Sequence, residues 1–173
     1  MSKFNFIFLL LYLLFSIKNA YGQNIAYANI DNVIQNSKVG KQIITYFSKE
    51  NNQLIEDFKN NEKIFKEKEL SLKSQKNVLD NSEYLKKIDE IKKEINIFNN
   101  QHKKKINEIK KKNDNVMKAL MTEINKILKE FAEKNNIDII FSSNQMLIGK
   151  STLDVSKDLL KIVDLKITKF EIK

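Results

Sequence analysis

The chain has 173 residues, with 31 basic side chains, all of them Lys, against 22 acidic ones, and it contains no Cys, Pro or Trp. Without cysteine there is no disulfide framework, no thiolate nucleophile and no zinc-finger spacing. Three glycines, Gly22, Gly40 and Gly149, are too few and too scattered for a phosphate-cradling P-loop or a dinucleotide-binding turn.

Residues 1–22 read as a secretory signal peptide. Lys3 precedes a ten-residue apolar run from Phe6 to Phe15, and the segment turns polar before Ala20-Tyr21-Gly22, a small-x-small cleavage signal. Lys18 interrupts the run short of the about 20 apolar residues that a membrane span needs. Cleavage between Gly22 and Gln23 would leave 151 residues with 29 Lys and 22 carboxylates, net +7, and no further spanning segment. No Cys follows the site, which excludes a lipoprotein anchor.

Ile25, Tyr27 and Asn29 then alternate with Ala26, Ala28 and Ile30 in a short β-prone segment. From Lys38 to Asn136 there is no Pro and, after Gly40, no Gly, while Lys, Glu, Leu and Gln fill the surface positions, which predicts long helices. Apolar residues recur at three and four, including Ile44, Phe47, Leu54, Phe58, Phe65, Leu72 and Leu79, and later Ile88, Ile91, Ile95, Phe98, Ile106, Ile109, Val116, Leu120, Ile124, Ile127 and Phe131. One helix of this length would reach about 150 Å and leave its apolar stripe without a partner. A hairpin is the better solution, turning near residues 77–82, where Asp80 with Glu83 three residues on forms a capping box.

Seven-residue steps through Ile44, Asn51, Phe58, Phe65, Leu72 and Leu79 give a thin seam, so the arms are expected to bend and splay. The second arm's spacing averages 3.6 and predicts nearly straight helices. Beyond the arm, Ile137 to Phe141 and Met146 to Ile148 read as two more strands around the turn-like Ser142-Ser143-Asn144, and Ser156 as the N-cap of a closing helix through Leu159, Leu160, Ile162 and Val163. The expected fold is α+β and mainly α: residues 23–37 and 137–173 form a small strand body around the long antiparallel coiled-coil arm of residues 38–136. That body is too small to stand comfortably alone and is expected to oligomerise through Ile25, Tyr27, Ile30, Ile137, Ile139, Phe141 and Leu147.

Charge is unevenly placed. Residues 59–118 hold 17 Lys against 10 acidic residues, net +7, whereas the rest of the mature chain has 12 of each. The candidate anion- and client-binding residues are Lys86, Lys87, Lys92, Lys93, Lys103, Lys104, Lys105, Lys110, Lys111 and Lys112. A basic prong attracts acidic chains or anionic surfaces in a salt-dependent way. The competing reading of any one Lys is a solvated helix face, with Glu83 to Lys87, Asp89 to Lys93 and Glu108 to Lys112 at ion-pair spacing.

The opening Ile25-Ala26-Tyr27-Ala28-Asn29-Ile30-Asp31, then Asn36-Ser37-Lys38-Val39-Gly40-Lys41, and the tail Ile137-Asp138-Ile139-Ile140-Phe141 through Leu153-Asp154-Val155-Ser156 resemble the Skp/OmpH family of periplasmic chaperones. The likeness covers essentially the whole mature chain in order. It implies a homotrimer with prefoldin-like tentacles around a central cavity, in which unfolded outer-membrane proteins are held without ATP, in the periplasm, before membrane insertion. The chain departs from better-known members in having no Arg and many Asn along the arms, which leaves Lys86 and Lys87 as the candidates for a basic lipopolysaccharide site.

His102, the single histidine, lies at a seam position and reads as an interhelical polar residue, since a catalytic base needs a positioned partner. Glu90 and Glu94 share a helix face among lysines, which disfavours acid–base chemistry or a metal pair. Phe47, Phe58, Phe65 and Phe98 either pack in the seam or touch a client, and periodicity favours the seam. No catalytic constellation, cofactor or metal site is expected. The alternative class is an exported structural or adhesive coiled-coil spacer, or a basic binder of nucleic acid or anionic lipid.

Overall fold

The structure is a computed structural model that describes residues 22–172. The signal peptide expected over residues 1–22 lies outside these residues, Gly22 apart. Strand β1 (Ile25–Ala28) leads into a short helix α1 (Ile30–Asn36) and then into the long helix α2 (Lys38–Ser74). Helix α3 (Asn81–Lys134) returns antiparallel to α2, and strand β2 (Ile139–Ser142), two single turns of 3-10 helix and helix α4 (Ser156–Lys166) complete the chain.

Sequence explains where the helices stop. Asn29 caps α1 by accepting from the Asn32 N–H at 2.9 Å, and Ser37 caps α2 by accepting from the Gly40 N–H at 3.0 Å. At the tip, Asp80 caps α3 through the Ser82 N–H at 3.0 Å. Its expected box partner Glu83 instead pairs forward with Lys87 at 3.8 Å. Helix α3 ends in a Schellman motif: the Ile137 N–H reaches the Ala132 carbonyl at 2.9 Å, with Asn136 at φ 51° in the left-handed region that asparagine tolerates.

The two strands are parallel, with Ile25 opposite Ile139 and Tyr27 opposite Phe141. Parallel neighbours need a crossover, and here α1 and the entire hairpin form it. The pairing is anchored by Asn24, whose N–H donates to the Asp138 carboxylate at 2.8 Å and whose carbonyl accepts from the Asp138 N–H at 2.8 Å. Ala26 and Ala28 face inward, which puts Ile25 and Tyr27 on the opposite face of β1.

One core sits at the base of the arm, where Val33 and Ile34 of α1, Val39, Ile43 and Phe47 of α2, Val116, Leu120, Ile124 and Ile127 of α3, and Leu159 and Val163 of α4 meet. Three sequence expectations need correcting here. The seam passes through Ile43, leaving Ile44 52% exposed, because a straight helix drifts away from seven-residue steps. Met146–Ile148 is not a strand: the far side of β1 is taken by the Tyr27–Asp154 bridge and the Val155 N–H to Tyr27 carbonyl bond, so Leu147 and Ile148 stand exposed. Ser156 is the first residue of α4 and not its cap; its hydroxyl accepts from the Asn29 N–H at 2.8 Å and donates to Asp154, tying α4 to the end of β1.

Candidate functional site

Helices α2 and α3 hold a steady antiparallel register: Tyr46 meets Lys112, Phe58 meets His102, Phe65 meets Phe98 and Lys68 meets Glu94. Among the described residues, side-chain burial in this seam is complete only near the base, at Leu54 and at Leu72. Between Asn81 and Asn115, α3 has no buried residue. The middle of the arm is held instead by a half-buried aromatic ladder, with ring centroids 5.8 Å apart for Phe58 and Phe98, 5.6 Å for Phe65 and Phe98, and 4.5 Å for Phe58 and His102. Such ring pairs contribute roughly 0.5–1.5 kcal/mol beyond area burial. His102 is therefore an interhelical residue stacked among phenylalanines, and Ile106, expected in the seam, is 44% exposed.

At 100° per residue the candidate lysines of α3 fall into three rows. Lys86, Lys93, Lys104 and Lys111 point away from α2, Lys92, Lys103 and Lys110 project to one flank, and Lys87, Lys105 and Lys112 to the other. Seven of the ten, Lys86, Lys92, Lys103, Lys104, Lys105, Lys110 and Lys111, are exposed and make no ion pair among the described residues. Lys93 pairs with Asp89 at 2.7 Å, and that hydrogen bond and the carboxylate's charge hold its ammonium above the usual lysine range. Lys112 does not pair with Glu108 as its spacing suggested. It donates to the Tyr46 hydroxyl at 2.6 Å and sits 4.7 Å from the ring centre, because the register brings Tyr46 within reach of this flank.

Sequence reasoning confined its candidates to the second arm and missed the first. Lys59, Lys66 and Lys73 are also exposed and unpaired among the described residues. Their seven-residue spacing, which puts them on one side of α2, was the available signal. Glu94, considered as part of a carboxylate pair with Glu90, bridges to Lys68 across the hairpin.

In the body, Ile139 and Phe141 of β2 lie exposed beside Ile25, and Leu147 and Ile148 stand clear of the protomer. Half-buried Tyr27 covers Gly149, where an added Cβ would come within 2.8 Å of its ring. Ile137 is half-buried. Ile30 opens α1 and is half-buried against the core.

The family model for outer membrane proteins of the OmpH-like kind matches residues 24–163. The chain belongs to the OmpH-like family. The OmpH-like fold is also seen in a crystal structure from Caulobacter crescentus described as a candidate outer membrane chaperone, with a TM-score of 0.79 at 9% identity over 90% of this chain and 94% of that one. No curated protein gives a significant match. In this OmpH-like chain the two grooves along the arm, one floored by Phe58, Phe65 and Phe98 and one by Leu72 and Ile91, are open to solvent. No helix among the described residues is long and apolar enough to cross a membrane.

Proposed function

We propose that the protein is an exported, ATP-independent chaperone that holds unfolded outer-membrane β-barrel proteins in the periplasm, working as a homo-oligomer, with three copies expected, whose arms surround a common cavity. The observation that carries this reading is the arm itself, a long prong of net charge +7 over residues 59–118 with most of its lysines unneutralised by carboxylates. Membership of the OmpH-like family supports it. Long-range attraction captures an acidic nonnative chain, and many shallow contacts hold it without fixing a structure. At the tip, exposed Lys86, Val78 and Leu85 also suit a negatively charged lipid headgroup and its apolar surroundings.

The exposed apolar residues of the body support the oligomeric part of this reading. Ile25, Ile139, Phe141, Leu147 and Ile148 expose more apolar side chain than a small domain leaves in water without a reason, and Met146–Ile148 has strand-forming residues with no partner. A second copy supplies one in this reading. Leu147→Asp combined with Ile148→Asp is expected to shift the protein to monomer by light scattering while its helical circular dichroism is kept. An unchanged oligomer mass would remove this loop from the interface.

The direct test dilutes a urea-unfolded outer-membrane β-barrel protein into the chain without nucleotide and follows turbidity. Suppression near one oligomer per client is expected. It should weaken severalfold between about 0.05 and 0.5 M salt, as the Debye length shrinks well below 10 Å. A stable oligomer that leaves the client to aggregate would move the function to a structural spacer.

A further inference from the structure

The two lateral sides of the hairpin are not equivalent. On one side, toward mid-arm, a groove of about 840 Å³ opens between α2 and α3. Its floor is the aromatic ladder seen from outside, Phe58, Phe65 and Phe98 with Ile95, and Lys59, Lys63 and Lys66 outnumber Glu62 and Glu69 on its rim. On the other side, nearer the tip, a smaller groove of about 540 Å³ has Leu72 and Ile91 at its floor. There Glu67, Glu90 and Glu94 outnumber Lys68 and Lys87, and the Lys68–Glu94 bridge ties its two walls together.

Helix geometry extends this difference along the arm. Lys73 lies two turns beyond Lys66, and Lys92, Lys103 and Lys110 line up with Asn99, which borders the aromatic groove. None of Lys59, Lys66, Lys73, Lys92, Lys103 and Lys110 has an ion-pair partner among the described residues. On the opposite flank Lys68 and Lys87 are paired with carboxylates and Lys112 with Tyr46, which leaves Lys105 as the unpaired lysine of that row. Net positive charge and accessible aromatic surface thus share one side of the hairpin.

We propose that this basic aromatic groove is the client-binding face of the arm and that it takes an extended segment of a nonnative chain carrying aromatic or aliphatic side chains beside carboxylates. The partly exposed rings give the apolar side chains a surface on which to pack, without the deep pocket that would demand one sequence. The flanking ammonium groups meet carboxylates while remaining hydrated, so binding stays loose and reversible. The seam phenylalanines therefore both close the hairpin and receive the client. The inference rests on the chaperone reading above and adds to it a side.

The chain has no cysteine, so Asn99→Cys and Ser71→Cys each place a single thiol, one at each groove, for a benzophenone maleimide. With a urea-unfolded outer-membrane β-barrel protein as probe, irradiation is expected to cross-link about fivefold more client from position 99 than from position 71. Lys59→Gln with Lys66→Gln should weaken client affinity about tenfold, against less than about twofold for Lys68→Gln with Lys87→Gln. Both pairs remove the same net charge; the second also breaks the Lys68–Glu94 bridge, which can only add to its effect, so a larger loss from Lys59 and Lys66 reads their location. Equal cross-linking or equal weakening, in a chain that still keeps the client soluble, overturns the groove and spares the chaperone reading. A chain that leaves the client to aggregate overturns both.

Discussion

Gly40→Ala is expected to lower the melting temperature by about 10 °C, and to do so against the usual sign. Alanine inside a helix normally stabilises by about 1 kcal/mol over glycine. At this position, in the first turn of α2, an added Cβ would lie 1.7 Å from the Ile34 carbonyl oxygen, which belongs to backbone and has no rotamer to escape into. The same oxygen accepts from the Ser37 hydroxyl at 2.8 Å, and Ser37 in turn caps the Gly40 N–H, so moving Ile34 aside also breaks the elbow between α1 and α2. A cost of about 3–4 kcal/mol is expected, which at about 2–4 °C per kcal/mol for a chain of this size gives the stated shift. Thermal unfolding followed at 222 nm measures it, and a variant as stable as the parent would show that the elbow relaxes freely.

Leu120→Ala and Phe98→Ala should separate the two kinds of packing in the molecule. Leu120 is fully buried where α1, α2, α3 and α4 converge, and its truncation leaves a cavity that rigid surroundings cannot fill, at a cost of about 3–4 kcal/mol. Phe98 is only half-buried and has no fully buried neighbour on its own helix for more than four turns. Its loss should cost about 1–2 kcal/mol and act locally. Hydrogen exchange is the discriminating measurement. Phe98→Ala is expected to accelerate exchange in the middle of both arms while the base stays protected, whereas Leu120→Ala lowers protection throughout. Uniform acceleration in both variants would mean that arm and base unfold as one unit.

Much of this fold was legible because the local signals agree. The long breaker-free stretch and Asp80 before the second arm each carry their meaning locally, whereas the Ser37 cap of the first arm emerged only from its bond to the Gly40 N–H. Register was less accessible. Stepping back from Phe58 by sevens lands on Ile44, whereas the base follows elevens, from Phe58 to Phe47 and from Leu54 to Ile43, as expected when the helix stays near 3.6 residues per turn. The Met146–Ile148 reading failed for a different reason: β-propensity describes a residue's fitness for a sheet and says nothing of whether an edge is free to receive it. The lysines were visible as composition, but their sidedness needs the seam register of both helices at once. Glu108 illustrates the limit, since its spacing offered it to Lys112 and the partner helix supplied Tyr46 instead.

The parallel pairing of β1 with β2 has a kinetic consequence. Asn24 and Asp138 are 114 residues apart, and closing a loop of that length through a disordered chain costs about 4 kcal/mol in entropy before any contact rewards it. A zipped hairpin removes most of that cost, because the register that sets Tyr46 against Lys112 brings α3 back alongside the start of α2. Helix and hairpin contacts are sequence-local and form within microseconds, while the strands wait on them. The prong thus acts as the folding template for the body, and the two strands meet last, after the chain has built its own shortcut between them.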